Sequence, residues 1–262
     1  MAPSDSGGRL YCLSMDTLGW FVFLGSVLLG SYVQAVTGFA MGMIVIAIVG
    51  ASELIGLPVL TAAASLITMV NVALAVKGRL HQLHRPLFIW LAAGQLPAIW
   101  VGVWLLTVLD REAQTLLQLL LGAFITLGSL SMMLRPSPLA KISPPWATWI
   151  AGFIGGLIGG MFSASGPIMG WFNYRQPLQL AQIRTTLLCV FALSTSTRTV
   201  VVGSQGGLTQ DVWLLAGFAL PLVILGTWAG RELPPAVTDA TLKRIAFGLL
   251  LVMGIWILAT AV

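Results

Sequence analysis

Arg198 is the one basic residue set well inside an apolar stretch, with Leu187 to Leu193 before it and Val200 to Val202 after it. A guanidinium at that depth costs about 2.5 to 3.5 kcal/mol on insertion scales, and normally marks a pathway or a paired partner. No Asp or Glu lies within an apolar span to pair with it, so an anionic substrate is the fitting counter-ion. The competing reading is that Arg198 snorkels to a nearby interface. Two polar stripes at helical spacing accompany it: Thr61, Ser65, Thr68 and Asn71, then Ser194, Thr197 and Arg198. Two Gly-interrupted motifs complete the set, Gln34-x-x-Thr37-Gly38-Phe39 and Ser163-x-Ser165-Gly166-Pro167. A helix restarting after each break offers unpaired N–H groups with partial positive charge, a seat for an anion. Thr37 or Ser165 suits the N-cap, and Pro167 suits the first helical position because it has no N–H to lose. The expected substrate-binding residues are therefore Gln34, Thr37, Gly38, Phe39, Asn71, Ser163, Ser165, Gly166 and Arg198. In the alternative reading the glycines only let helices pack closely, which is the role expected of Gly155, Gly156, Gly159 and Gly160.

Other chemistry finds little support. The spans hold neither an acid nor a His, so their hydroxyls lack the base that nucleophilic catalysis needs, and no enzyme is expected. His81-x-x-His84 is half a metal site in a basic connection without further ligands, and reads as a solvated loop. Cys12 and Cys189 lie too far apart in sequence to suggest a disulfide framework or a metal site. No metal or cofactor is expected.

The elements that must position these residues are membrane helices. Of the 262 residues, 58% are hydrophobic and only 8% charged, with a mean hydropathy of +0.96. That composition belongs in a bilayer. The net charge of +5 and pI near 9.8 come from Lys and Arg scattered singly through short connections, not from a clustered patch, so nucleic acid is not a partner. Leu18 to Leu29 could pass for a signal-peptide core, but it lacks the positive flank and is read as uncleaved.

A span needs about 20 apolar residues to cross roughly 30 Å of hydrocarbon. Six segments fit: Leu54 to Val76, Leu87 to Leu109, Ala113 to Leu134, Leu178 to Val202, Val212 to Gly230, and Ala240 to Ala261. Thr17 to Gly50 and Trp146 to Tyr174 are over-long, and each is interrupted at its glycine. The second half also repeats the first. Val36-Thr37-Gly38-Phe39 falls on Ala164-Ser165-Gly166-Pro167, Gly78-x-Leu80 on Gly206-x-Leu208, and Gly102-x-Trp104 on Gly226-x-Trp228. The expected organisation is a tail at 1–16, repeat 1 at 17–135, a linker at 136–145 and repeat 2 at 146–262.

Charge chooses between eight single crossings and two re-entrant hairpins with three spans each. With hairpins, Lys77, Arg79, Arg85, Arg135, Lys141, Arg175, Arg184, Arg231, Lys243 and Arg244 share one side; Asp5, Asp16, Glu53, Asp110, Glu112 and Asp211 share the other with Arg9 and Arg111. Single crossings show no such sorting. Basic residues stay in the cytoplasm, so hairpins are favoured, with both termini outside. Three crossings per half make the repeats inverted. The expected fold is an all-α integral membrane protein of two inverted repeats, each a broken or re-entrant helical hairpin plus three transmembrane helices.

The motif Gln34-Ala-Val-Thr-Gly38-Phe39, the Gly-rich copy from Gly155 through Gly166-Pro167, and the duplication over roughly Gly19 to Thr260 resemble the TauE/SafE family of sulfite and organosulfur anion permeases. The resemblance implies a multi-pass bacterial inner-membrane transporter of small sulfur oxyanions or organic anions. The expected function is a secondary transporter of a small anion such as sulfite, an organosulfonate or a carboxylate, working by alternating access around facing helix starts. An anion channel is the alternative. Its partners are then the small anion and the lipid bilayer; whether the chain forms a homodimer is left open.

Overall fold

The computed structural model describes residues 16–50, 52, 55–133, 138–233 and 239–260, all of whose regular elements are helical. Arg9, Asp5, Cys12, Glu53 and Arg135 lie outside the described residues. Ten α-helices follow in order: α1 (Thr17–Thr37), α2 (Met41–Gly50), α3 (Leu57–Val76), α4 (Arg85–Glu112), α5 (Gln114–Met133), α6 (Pro145–Phe162), α7 (Gly166–Tyr174), α8 (Leu180–Ser204), α9 (Gln210–Glu232) and α10 (Asp239–Thr260). Seven of the described helices are long and apolar enough to cross a bilayer: α1, α3, α4, α5, α6, α8 and α9.

Local chemistry fixes most boundaries. Asp16 caps α1, its carboxylate accepting the Gly19 N–H at 2.8 Å. Prolines occupy the first turns of α3, α4, α6 and α7, where a missing N–H costs nothing. His84 caps α4, its Nδ1 accepting the Leu87 N–H at 3.3 Å, which gives this histidine a structural task in place of a ligand's. Gln179 and Gln182 form a reciprocal capping box at the start of α8.

Both over-long segments are broken, but unequally. α1 alone has 21 residues, about 31 Å by the helical rise, so the first arm is long enough to cross before the chain turns back. α2 then starts beside α1, with Met41 against Gly30 and Ser31, and ends at Gly50 against Leu57 at the head of α3. The second break repeats this plan. α7 runs back along α6, with Met169 against Gly155, and the Gln176 side chain ties to Ser143 just before α6 begins. Each hairpin therefore returns to the end at which it started.

Helix directions follow from the close approaches. α4 and α6 run the same way, Leu91 facing Gly152, Gln95 facing Gly156 and Ile99 facing Gly160. α9 and α1 also run together, Gly226 meeting Leu28 and Ser31 while Gly230 meets Tyr32 and Ala35. Both crossings depend on small residues where backbones touch, as lipid-embedded helices require. α3 and α8 are antiparallel, joined by Arg198 to Thr61 at one end and Thr186 to His84 at the other. Since α3 runs with α9 (Asn71 to Thr227, Leu74 to Arg231), α1 and α6 point in opposite directions. The described charges sort largely accordingly: Lys77, Arg79, Arg85, Lys141, Arg175, Arg184, Arg231, Lys243 and Arg244 lie at one end with Glu232 and Asp239 as the exceptions, and Asp16, Asp110, Glu112 and Asp211 lie at the other with Arg111.

Candidate anion-binding site

The two breaks meet. A Cβ on Gly42, in the first turn of α2, would collide with the Ser163 carbonyl oxygen of the second break. One on Gly166 would lie 3.3 Å from the Phe39 ring. Gly38 ends α1 in the left-handed region, at φ 86°, and its N–H returns to the Gln34 carbonyl at 2.7 Å. Ala40 and Ser163 also have positive φ, 100° and 52°. Such backbone costs on the order of 1–3 kcal/mol per residue and concentrates at functional sites.

Between the breaks lies a cavity of about 20 Å³, lined by both helix starts (Gly42, Met43; Ser165, Gly166) and by Gln34, Thr68, Ser194 and Arg198. One water needs roughly 10–15 Å³, so this narrow compartment has room for little more than one. Gln34 is 2% exposed, and its Oε1 accepts the Met41 N–H at 2.9 Å, filling the capping role at α2. That bond fixes the amide orientation, leaving Nε2 buried without a partner. The Thr68 hydroxyl is likewise buried and unpartnered. At α7, Ser165 occupies the N-cap position without a side-chain capping bond, and Pro167 follows in the first turn.

Arg198 is 1% exposed and does not reach an interface. Nε donates to the Gly160 carbonyl, Nη1 to the Thr61 carbonyl and the Ser65 hydroxyl, and Nη2 to the Thr61 hydroxyl, each at 2.8 Å. Four of the five guanidinium N–H groups are thus used on neutral acceptors, and none of the described residues supplies a carboxylate. The charge stays uncompensated beside the cavity. Ser65 donates to the Thr61 carbonyl at 2.9 Å and so accepts from Arg198 and from Ser163, which lies 2.9 Å away.

The other expected residues take supporting places. Thr37 is the last residue of α1 and not an N-cap of α2; its Oγ1 lies 2.8 Å from both the Val33 and Phe39 carbonyls. Its own carbonyl accepts from Tyr174 Oη at 2.8 Å. Phe39 is fully buried, stacked on Phe247 and edge-on to Tyr174, so its ring wedges the first break and does not line the cavity. Asn71 is also away from the cavity. Its Nδ2 holds the Ser31 carbonyl at 3.3 Å and the Thr227 hydroxyl at 2.7 Å, joining α3 to α1 and α9. Gly159, expected only to pack helices, faces Ser165 and Ser194 and lines the cavity. Met43, Phe191 and Thr195 line it as well, and Met43 and Phe191 carry no polar signal that a sequence could show.

The sulfite exporter TauE/SafE family matches residues 22–257. The chain belongs to that family. The chain is similar to a protein of Cupriavidus necator named "Probable sulfite/organosulfonate exporter TauE", 39% identical over 250 residues, covering 95% of this chain and 96% of the relative. A second relative, "Probable inner membrane transporter protein TsaS" of Comamonas testosteroni, is 29% identical over 166 residues, covering 60% of this chain and 67% of its own length. No solved structure matches the chain. The TauE/SafE match spans α1 to α10, so both breaks and Arg198 lie inside it.

Proposed function

We propose that this TauE/SafE protein is a multi-pass inner-membrane secondary transporter that exports a small sulfur oxyanion, sulfite or the head group of an organosulfonate, and passes it on unchanged. One observation carries the site assignment: two helix N-termini, the oriented Gln34 amide and the unneutralised Arg198 border one narrow cavity. Every one of these presents positive charge or N–H donors, the complement of an oxyanion. The relatives' names point to the same substrates.

Alternating access around this cavity is the mode best supported. At about 20 Å³ the compartment is too small for an organosulfonate, so loading needs the breaks to part on one side at a time. A continuously open channel fits such a compartment poorly. We read the halves 17–135 and 146–262 as inverted repeats, and the packing supports it: exchanging the halves turns the α4–α6 contact into α9–α1 and leaves α3–α8 and α5–α10 unchanged. Asn71 and Arg198 take matching roles, each holding a carbonyl of its own half's first helix, Ser31 or Gly160.

The test is radiolabelled sulfite flux in proteoliposomes. Saturable flux, lost in Arg198→Ala and cut in Ser165→Ala while both variants stay folded, is the expected result. Unchanged flux in both would remove the site assignment, and single-channel current would favour a channel.

A further inference from the structure

We propose that Arg79, Arg184 and Arg231 form a second oxyanion site at the basic end of the bundle, an antechamber that captures the anion before it reaches the central cavity. The proposal rests on the transport reading above. The three arginines come from three elements: the turn after α3, the second turn of α8 and the last turn of α9. Arg231 is anchored by Nη1 donating to the Leu74 carbonyl at 2.6 Å, one turn before Arg79, whose N–H returns to Val76 at 2.9 Å. The Arg79 turn is docked on α8 through Gln82 to Thr185 at 3.3 Å and the His84 N–H to Thr186 at 3.2 Å. All three side chains are half-buried.

Three guanidinium groups against the one carboxylate of Glu232 leave this corner of the bundle net positive. Burial first, then the charges of Arg231 and Arg184, push the Arg79 guanidinium below its ordinary pKa, and only Glu232 acts the other way. Cations that served membrane orientation alone would gain nothing from gathering. Their position supplies the purpose. A Cβ on Gly38 would lie 3.3 Å from the Arg184 Cα, so the cluster borders the first break, while Ala40 and Gly42 beyond that break line the central cavity. At the opposite end, a pocket of about 130 Å³ carries Asp110, Gln114 and Gln118 and, among the described residues, no arginine. Positive charge therefore falls away along the route. Guanidinium forks suit the paired oxygens of sulfite or a sulfonate.

The test compares the two faces of the full-length protein in inside-out and right-side-out vesicles with radiolabelled sulfite. Arg79→Gln and Arg231→Gln should each raise the KM at the basic face roughly three- to tenfold, the scale of electrostatic capture, with Vmax within about twofold and the opposite face unchanged. Arg79→Lys, which keeps the charge but loses the fork, should restore part of the affinity, and raised salt should weaken the wild type toward the Gln variants. An unchanged KM, or a Vmax loss equal from both faces, would overturn the proposal. So would an effect seen in phosphatidylglycerol vesicles but not in pure phosphatidylcholine, which would make a lipid phosphate the occupant. Absence of saturable flux in the wild type would instead reject the transport reading itself.

Discussion

Gln34 owes its proposed role to having one end of its amide already fixed. With Oε1 committed to the Met41 N–H, the buried Nε2 is left as an unused donor on a residue that lines the cavity. Gln34→Glu keeps the shape but sets a carboxylate against the substrate. Sulfite flux should fall about tenfold or more, since like charges brought together cost several kcal/mol, with the variant still folded as judged by its melting temperature. Thr68→Val separates binding from folding in another way. Removing an unpartnered buried hydroxyl should leave stability equal or higher, while the lost donor should weaken sulfite binding roughly two- to tenfold, the worth of one hydrogen bond. If binding is unchanged, Thr68 does not touch the anion. At this scale the sequence was readable in part. Arg198 stood out by its depth and lack of an acid, and it lies at the cavity. Asn71 shared the helical stripe of Thr68, yet three residues turn it toward α1 and α9; periodicity identifies a face without showing what faces it. Thr37 had the right chemistry for an N-cap, but the left-handed Gly38 makes it the end of α1 and passes the capping of Met41 to Gln34.

The two broken hairpins hold together because small residues sit where backbone meets backbone. Gly42→Ala would drive a methyl group into the Ser163 carbonyl, at the contact between the breaks. Overpacking of this type costs about 1–3 kcal/mol or more, so a lower melting temperature together with lost flux is expected. Gly25→Ala is the control on the same polypeptide. It lies inside α1 with nothing within 4 Å of the added Cβ, and should raise stability by roughly 0.5–1 kcal/mol through helix propensity. Equal melting temperatures for the two variants would contradict the packing described here. Both breaks could be located in the sequence because the segments were too long for one crossing and interrupted by glycine. The six separate spans lie within a few residues of their expected limits for the same reason of length. The unequal arms were not apparent. Nothing in the run from Met41 to Gly50 says that ten apolar residues make a short returning helix, because its length depends on where α3 and α5 receive it.

For the whole molecule, the gathering of most Lys and Arg residues at one end is the argument for the orientation we propose: basic end in the cytoplasm, both termini outside. A reporter fused after Val262 should therefore be active only on the outer side, and a cytoplasmic signal would contradict that orientation. The family match covers the chain nearly end to end, so the two helix breaks and the buried arginine lie within the matched region. The most direct test is an experimental structure of the protein soaked with selenite, a heavier analogue of sulfite whose selenium can be located by anomalous scattering. A selenium peak between Gln34 Nε2, Ser165 and Arg198, with the anion within hydrogen-bond reach of the α2 and α7 starts, is the predicted result. A peak confined to the lipid-facing surface, with this compartment empty at saturating selenite, would contradict the account.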